Sequence, residues 1–183
     1  DYHLLGDYYD NLSAIYRAME KFSLALKYQQ KALAIFEKTL DKEHLKIATA
    51  YFNMGRICQY MGNLEMALAY QQKGLFMREK ALDENHPDLA LSCQEISDIY
   101  HVMGKLELAL MYQQKTLDIF EATLDKNHFN LGVTYHNIAD VYKSMGNLER
   151  AFYYQQKAIV ILEKMPNKEL VILFTAYANL ATL

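Results

Sequence analysis

Residues 61–73 read Met61-Gly62-Asn63-Leu64-Glu65-Met66-Ala67-Leu68-Ala69-Tyr70-Gln71-Gln72-Lys73, and the rest of the chain is organised around copies of this stretch. Its closing tripeptide, Gln-Gln-Lys, recurs with first residues Gln29, Gln71, Gln113 and Gln155, a period of 42 residues held without slippage. Other columns keep the same register: Met19, Met61, Met103 and Met145; Ala25, Ala67, Ala109 and Ala151; Tyr28, Tyr70, Tyr112 and Tyr154; Glu37, Glu79, Glu121 and Glu163. Gly62, Gly104 and Gly146 form one more column, with Glu20 in its first place. A repeating unit is therefore fixed before its structure is considered.

Within one unit, Ile47 to Tyr60 carries Tyr51, Met54, Ile57 and Cys58 at the three-and-four spacing of an amphipathic helix, with small Gly55 between them. Gly62 then offers the left-handed conformation that ends a helix at low steric cost. Leu64 to Leu82 resumes the spacing with Leu64, Ala67, Leu68, Gln71, Leu75 and Met77, so a longer second helix is expected. The link Asp83-Glu84-Asn85-His86 leads to Pro87, which the first turn of a helix tolerates because the missing N–H has no intrahelical partner there. The register predicts A helices near 4–19, 46–61, 88–103, 130–145 and 169–182, and B helices near 22–40, 64–82, 106–124 and 148–165. Helices joined by so short a turn lie antiparallel, and a lone hairpin leaves an apolar face in water, so each gains by stacking on its neighbour. The expected fold class is all-α: one solenoid domain over residues 1–183, with units of about 1–43, 44–85, 86–127 and 128–168 and a partial fifth at 169–183. Because that fifth A helix has no B partner before Leu183, a longer parent protein is expected.

Composition narrows the function. Two prolines, seven glycines and an apolar share of 52% leave no stretch that reads as a flexible linker or disordered tail. Nineteen Lys and Arg against 22 Asp and Glu give a net charge of −3, which supplies no basic footprint for a phosphate backbone, so nucleic acid is not the expected partner. Leu170 to Leu183, interrupted by Thr175, Asn179 and Thr182, is too short to cross a bilayer as a helix, and Asp1-Tyr2-His3 lacks the basic start of a signal peptide. Cys58 and Cys93 stand in columns otherwise held by Tyr16, Tyr100 and Tyr142, and by Tyr9, Tyr51, Tyr135 and Tyr177. Both therefore read as packed thiols, at levels about 10 Å apart that no disulfide spans, which fits a reducing, cytoplasmic setting.

Tyr51-Phe52-Asn53-Met54-Gly55-Arg56 followed by Met61-Gly62-Asn63-Leu64-Glu65-Met66-Ala67-Leu68 resembles the tetratricopeptide repeat, which has an aromatic, a Leu-Gly, a turn glycine and an alanine in these places. The long second helix and the Leu-Asp-Glu-Asn-His-Pro link are similar to the 42-residue version of kinesin light chain and related scaffold proteins. The resemblance covers almost the whole chain and implies a right-handed superhelix whose work is binding protein. Two departures are Glu20 in the glycine column and the fourth link, Met165-Pro166-Asn167-Lys168-Glu169-Leu170, which lacks the histidine; both are expected to change local geometry.

At 100° per residue, Thr49, Phe52, Asn53, Arg56, Gln59 and Tyr60 fall within an arc of roughly 120°, opposite Tyr51, Met54, Gly55 and Cys58. In the family the A helices line the concave surface, so the resemblance makes the first set a groove wall. Its counterparts are Asp10, Asn11 and Arg17; Gln94, Glu95, Asp98 and His101; His136, Asn137, Asp140 and Lys143; and Ala178 with Asn179. Asn11, Asn53, Asn137 and Asn179 share one column, broken by Glu95. An amide there either matches the N–H and C=O of a peptide backbone or bonds the neighbouring helix. Family members that grip a C-terminal carboxylate use a clamp of lysine, asparagine and arginine. Gln94, Glu95 and Asp98 in the third unit disfavour one, while Arg17 and Arg56 toward one end and Glu95, Asp98 and Asp140 further on suit a ligand of mixed polarity, with an acidic segment near Arg56.

Chemistry finds little footing. His44, His86 and His128 recur in the links, but hairpins stacked about 10 Å apart cannot bring them within the roughly 4 Å that separates ligands of one zinc. Helix capping is the expected role. Glu95, Asp98 and His101, with His136 or Asp140, are the nearest approach to a metal or acid–base cluster, and a solvated wall is the plainer reading. No phosphate-cradling loop occurs, and one helix cannot arrange Ser97, Asp98 and His101 as a triad. The expected protein is not an enzyme and needs no cofactor or metal. Gln29-Gln30-Lys31 and its copies are assigned to the outer, solvated face of the B helices. The leading function is a groove that holds a peptide or protein partner. The alternatives are self-association through the uncapped C-terminal helix and a sensor arm for an effector domain elsewhere in the parent protein.

Overall fold

The computed structural model describes residues 2–164 and 170–181, and the described residues are helical throughout apart from turns and links. The helices are α1 (Tyr2–Ala18), α2 (Phe22–Thr39), α3 (Leu45–Tyr60), α4 (Leu64–Ala81), α5 (Pro87–Val102), α6 (Leu106–Thr123), α7 (Phe129–Ser144), α8 (Leu148–Leu162) and α9 (Leu170–Ala181). Odd-numbered helices are the A helices and even-numbered ones the B helices, with ends close to those the register predicts. The fourth link at 165–169 and the last residues beyond 181 lie outside the described residues.

Two compact units are formed, Asp1–Glu84 and Asn85–Leu183. In the first, α1 pairs with α2 and α3 with α4, and α2 lies against α3; in the second, α5 pairs with α6 and α7 with α8, α6 lies against α7, and α8 against α9.

The turns follow from single residues. Gly62, Gly104 and Gly146 take φ of +76°, +72° and +75°, and in each hairpin the residue after the glycine donates its N–H back into helix A, as Asn63 does to Cys58 O at 2.9 Å. Glu20 takes the same conformation at φ 58°, with Lys21 N–H donating to Tyr16 O at 2.9 Å. A side chain in the left-handed region costs about 1 kcal/mol, so Glu20→Gly is expected to stabilise the first unit by about that amount. A chemical-denaturation midpoint that fails to rise would show Glu20 to be unstrained.

The links are capped by their histidines. His44, His86 and His128 each accept the N–H two residues on, from Lys46, Asp88 and Asn130, through Nδ1 at 3.1 Å. Asn63 and Asn147 cap α4 and α8 by accepting from Met66 and Arg150 N–H at 3.2 and 3.1 Å.

Inside each hairpin, one position on the A helix is matched in size to one on the B helix. A Cβ on Gly6 would lie 2.5 Å from the Phe36 ring, and one on Gly132 would lie 3.0 Å from Leu162. Ala90 and Phe120 occupy the equivalent places in the same core cluster. The remaining hairpin has Ala48 and Arg78, and Arg78 is buried with its guanidinium 4.7 Å from the Phe52 ring, a cation held on an aromatic face.

Tyrosines fill the space beside these pairs. Tyr28 stacks on Tyr16 at 5.2 Å and Tyr9 at 5.9 Å, and Tyr154 on Tyr142 at 5.6 Å and lies 6.1 Å from Tyr135. Buried Cys58 and Cys93 remove one ring from each of the other two sets. The glutamate column meets the tyrosine column: Tyr51 OH donates to Glu37 at 2.9 Å, Tyr135 OH to Glu121 at 2.6 Å, and Tyr177 OH to Glu163, tying α2 to α3, α6 to α7 and α8 to α9. Burial, then the bond to Glu37, pushes the Tyr51 phenol up to about 12, so this tie keeps its proton at neutral pH.

One expectation is overturned. The leading glutamine of each Gln-Gln-Lys does not face solvent: Gln29, Gln71, Gln113 and Gln155 are 0–1% exposed. Spaced four residues from Ala25 and three from Ala32, this column points back at the A helix of its own hairpin. Only the second glutamine is exposed throughout. The lysines lie over tyrosine rings, as Lys31 does over Tyr9 at 5.1 Å and Lys157 over Tyr135 at 5.0 Å.

Candidate functional site

Burial divides each A helix along its length. On α3, Ile47, Ala48, Ala50, Met54, Gly55, Ile57 and Cys58 are buried, which leaves Thr49 and Tyr60 exposed and Phe52, Asn53, Arg56 and Gln59 half-buried. On α5 the half-buried set includes Gln94, Glu95, Asp98 and His101, and on α7 it includes His136, Asn137, Asp140 and Lys143. Asn11 is exposed on α1, where Asp10 and Arg17 are half-buried; Asn179 is half-buried on α9 beside exposed Ala178. The polar face read from periodicity is thus the face that solvent reaches.

In the first unit, Asp10 Oδ1 accepts from Gln29 Nε2 at 2.6 Å and from Asn53 Nδ2 at 3.4 Å. The buried glutamine holds the carboxylate from below while Asn53 reaches it from the next A helix. Gln71 Nε2 donates to the backbone oxygen of Phe52 at 3.2 Å, and the Phe52 ring lies 6.0 Å from the Arg56 guanidinium in addition to its contact with Arg78. Phe52 is therefore as much a packing residue as a surface one. Arg56 Nη2 donates to Tyr60 OH at 3.4 Å.

The second unit has a longer chain of contacts. His101 Nε2 and Ser144 Oγ are 2.8 Å apart. His136 Nδ1 lies 3.2 Å from Gln155 Oε1, and its Nε2 lies 3.7 Å from Asp140 Oδ2. Asp140 Oδ1 accepts from Asn179 Nδ2 at 2.6 Å, and Asn179 Oδ1 accepts from Lys143 Nζ at 3.5 Å. Burial, with the negative charge of Glu95 added, pushes the Asp98 carboxyl up to about 7, so it is part-protonated at neutral pH.

Two members of the asparagine column, Asn53 and Asn179, bond the preceding A helix, whereas Asn11 and Asn137 lie outside these bonded pairs. Sequence reading missed the glutamines beneath the face and Ser144 beside it. The signal was present in the strict recurrence of a polar residue where the apolar column of helix B runs. Glu95, Asp98 and His101 do not converge: among the described residues no three His, Cys, Asp or Glu side chains gather around a common metal position. No described helix is long and apolar enough to cross a membrane.

The family model described as tetratricopeptide repeat matches residues 4–80 and 88–164. Among solved structures, the chain is similar to a kinesin light chain-like protein of Podosopora anserina with nearly identical TPR-like repeats: 21% identity, all of this chain and 86% of that one, TM-score 0.83. A single-substitution form of that protein matches at 20% identity over 96% of this chain and 83% of that one, TM-score 0.82. BtubC (BKLC) of P. vanneervenii matches at 17% identity over 99% of this chain and 72% of that one, TM-score 0.87. These likenesses show the fold. A search of curated proteins returns no match.

Proposed function

Because the chain belongs to the tetratricopeptide repeat family, whose repeats generally mediate protein–protein interaction, we propose that residues 1–183 form one interaction module holding a peptide or protein partner on the polar face of the A helices. The observation that carries this reading is the half-buried donors and acceptors on α3 in the first unit and on α5 and α7 in the second, each set on helices and left within reach of solvent. Such side chains are partly fixed by their surroundings, so a ligand orders fewer rotamers on binding than it would on a free surface. Amide and charged groups of both signs suit an extended peptide, which offers an N–H and a C=O per residue.

The test is affinity capture from a lysate with the whole chain as bait, beside the double variant Gln94→Ala, Asn137→Ala. Both residues lie on the face and outside the bonded pairs, so the variant should keep its circular dichroism spectrum and melting temperature. A partner recovered by the wild type and reduced at least tenfold with the variant supports the reading; equal recovery by both overturns it. Self-association is the second reading. Recovery of the chain's own copies alone would favour it.

A further inference from the structure

We infer that His136 and Asp140 form a seat for a cationic side chain, a lysine of the bound partner, and that buried Gln155 sets the seat by fixing the imidazole tautomer. The inference rests on the A-helix face being the ligand-binding surface. Gln155 is fully buried, and its Nε2 has no partner, so its amide meets the imidazole through oxygen alone. At 3.2 Å, that oxygen takes the proton of His136 Nδ1. A neutral imidazole carries one N–H, so Nε2 is left with its lone pair.

The second half of the geometry agrees. Nε2 stands 3.7 Å from Asp140 Oδ2, beyond hydrogen-bond length, as two acceptors facing each other must. Asp140 is held in place because its other oxygen accepts from Asn179 Nδ2 at 2.6 Å. A nitrogen about 2.9 Å from each of two atoms spans a gap of this width, and an ammonium brings three N–H groups, enough to serve both acceptors and leave one for water. The bond to Asp140 is then charge-assisted. Access is open on one side: the His136 side chain is 12% exposed and that of Asp140 36%. Gln155 thus acts through His136 as a positioning residue, and the buried glutamine of the first hairpin does the comparable thing by holding Asp10.

The experiment uses the whole chain labelled with 15N at histidine, and n-butylammonium as a probe of the lysine side chain, at about pH 8, where an ordinary imidazole is neutral. The imidazole nitrogen shifts of His136 should report the Nδ1–H tautomer. Adding butylammonium should shift the Nε2 resonance to saturation, and Asp140→Asn should weaken that response at least fivefold, while butanol gives none. Gln155→Leu should move the tautomer toward Nε2–H without loss of fold. If that variant does not fold, the Asp140→Asn comparison carries the test. An Nε2–H tautomer in the wild type, or a butylammonium response equal in Asp140→Asn, overturns the inference. Lysate capture that fails while this seat responds as described would sink the broader binding proposal and leave the tautomer assignment standing, so the two failures are distinguishable.

Discussion

Phe120→Ala is expected to remove about 3–5 kcal/mol from the stability of the second unit. Phe120 is 1% exposed and sits in a cluster with Ala90, Leu117, Leu131 and Tyr135, where α5 and α6 meet α7. Its neighbour on the A helix is already small, so Ala90 offers no side chain that could swing into the space, and the cavity persists. Phe120→Leu is the internal control, because Leu162 fills the same column in the next hairpin; a loss under about 1.5 kcal/mol is expected there. Contacts in a repeat array are with near neighbours, so the loss should appear as earlier melting of α5–α8, read by hydrogen exchange, with α1 and α2 less affected. A cost for the alanine variant no greater than for the leucine variant would show that the column is not the anchor of the hairpin.

Asp98→Asn is expected to stabilise the protein by an amount that grows as pH rises from about 4 to 7 and is complete above that. The folded carboxyl titrates at about 7, against 3.8 for an ordinary aspartate. At about pH 3 and below it is largely protonated in both folded and unfolded chains and costs little. As pH rises from there to 7 the unfolded chain loses its proton first, so the folded chain holds more protons and stability falls. Above 7 the buried charge is present in full, a penalty on the order of 3–4 kcal/mol. Asparagine carries no charge to desolvate and no repulsion from Glu95. Urea unfolding of both proteins at about pH 3 and about pH 8 should therefore show a gain at the higher pH that nearly vanishes at the lower. An equal effect at both would attribute it to packing and remove the electrostatic account.

Much of the fold was legible because a 42-residue period aligns four copies of each decision. Gly62, Gly104 and Gly146 announce three turns, and three histidines mark three links. The polar face of the A helices was equally open to reading, since a 100° rotation per residue separates Asn53 and Arg56 from Met54 and Cys58. What stayed hidden were partners that periodicity does not report. Gln29 reaches Asp10 across the hairpin, 19 residues back, and Asn179 reaches Asp140 on the preceding A helix; neither distance belongs to a helical spacing. The glutamine column was misassigned for this reason: a polar residue on a helix is solvated by default, and only the hairpin partner shows that its amide has a buried use. Arg78 among phenylalanines and a leucine is the same problem in one residue, resolved by the Phe52 ring beneath its guanidinium.

Gly6 with Phe36, Ala48 with Arg78, Ala90 with Phe120 and Gly132 with Leu162 each set a small residue of the A helix opposite a large one of the B helix, and this bears on how such a protein can change by recombination among its own repeats. Copies this alike invite unequal exchange. A breakpoint in a link such as 83–86 moves both members of a couple together and yields an array one hairpin longer or shorter with its fit intact. A breakpoint in a turn such as 61–63 divorces them, for example by setting a glycine-bearing A helix opposite Arg78 in place of Ala48. The unit of heredity in this chain is consequently the hairpin, and its seams lie at the histidines.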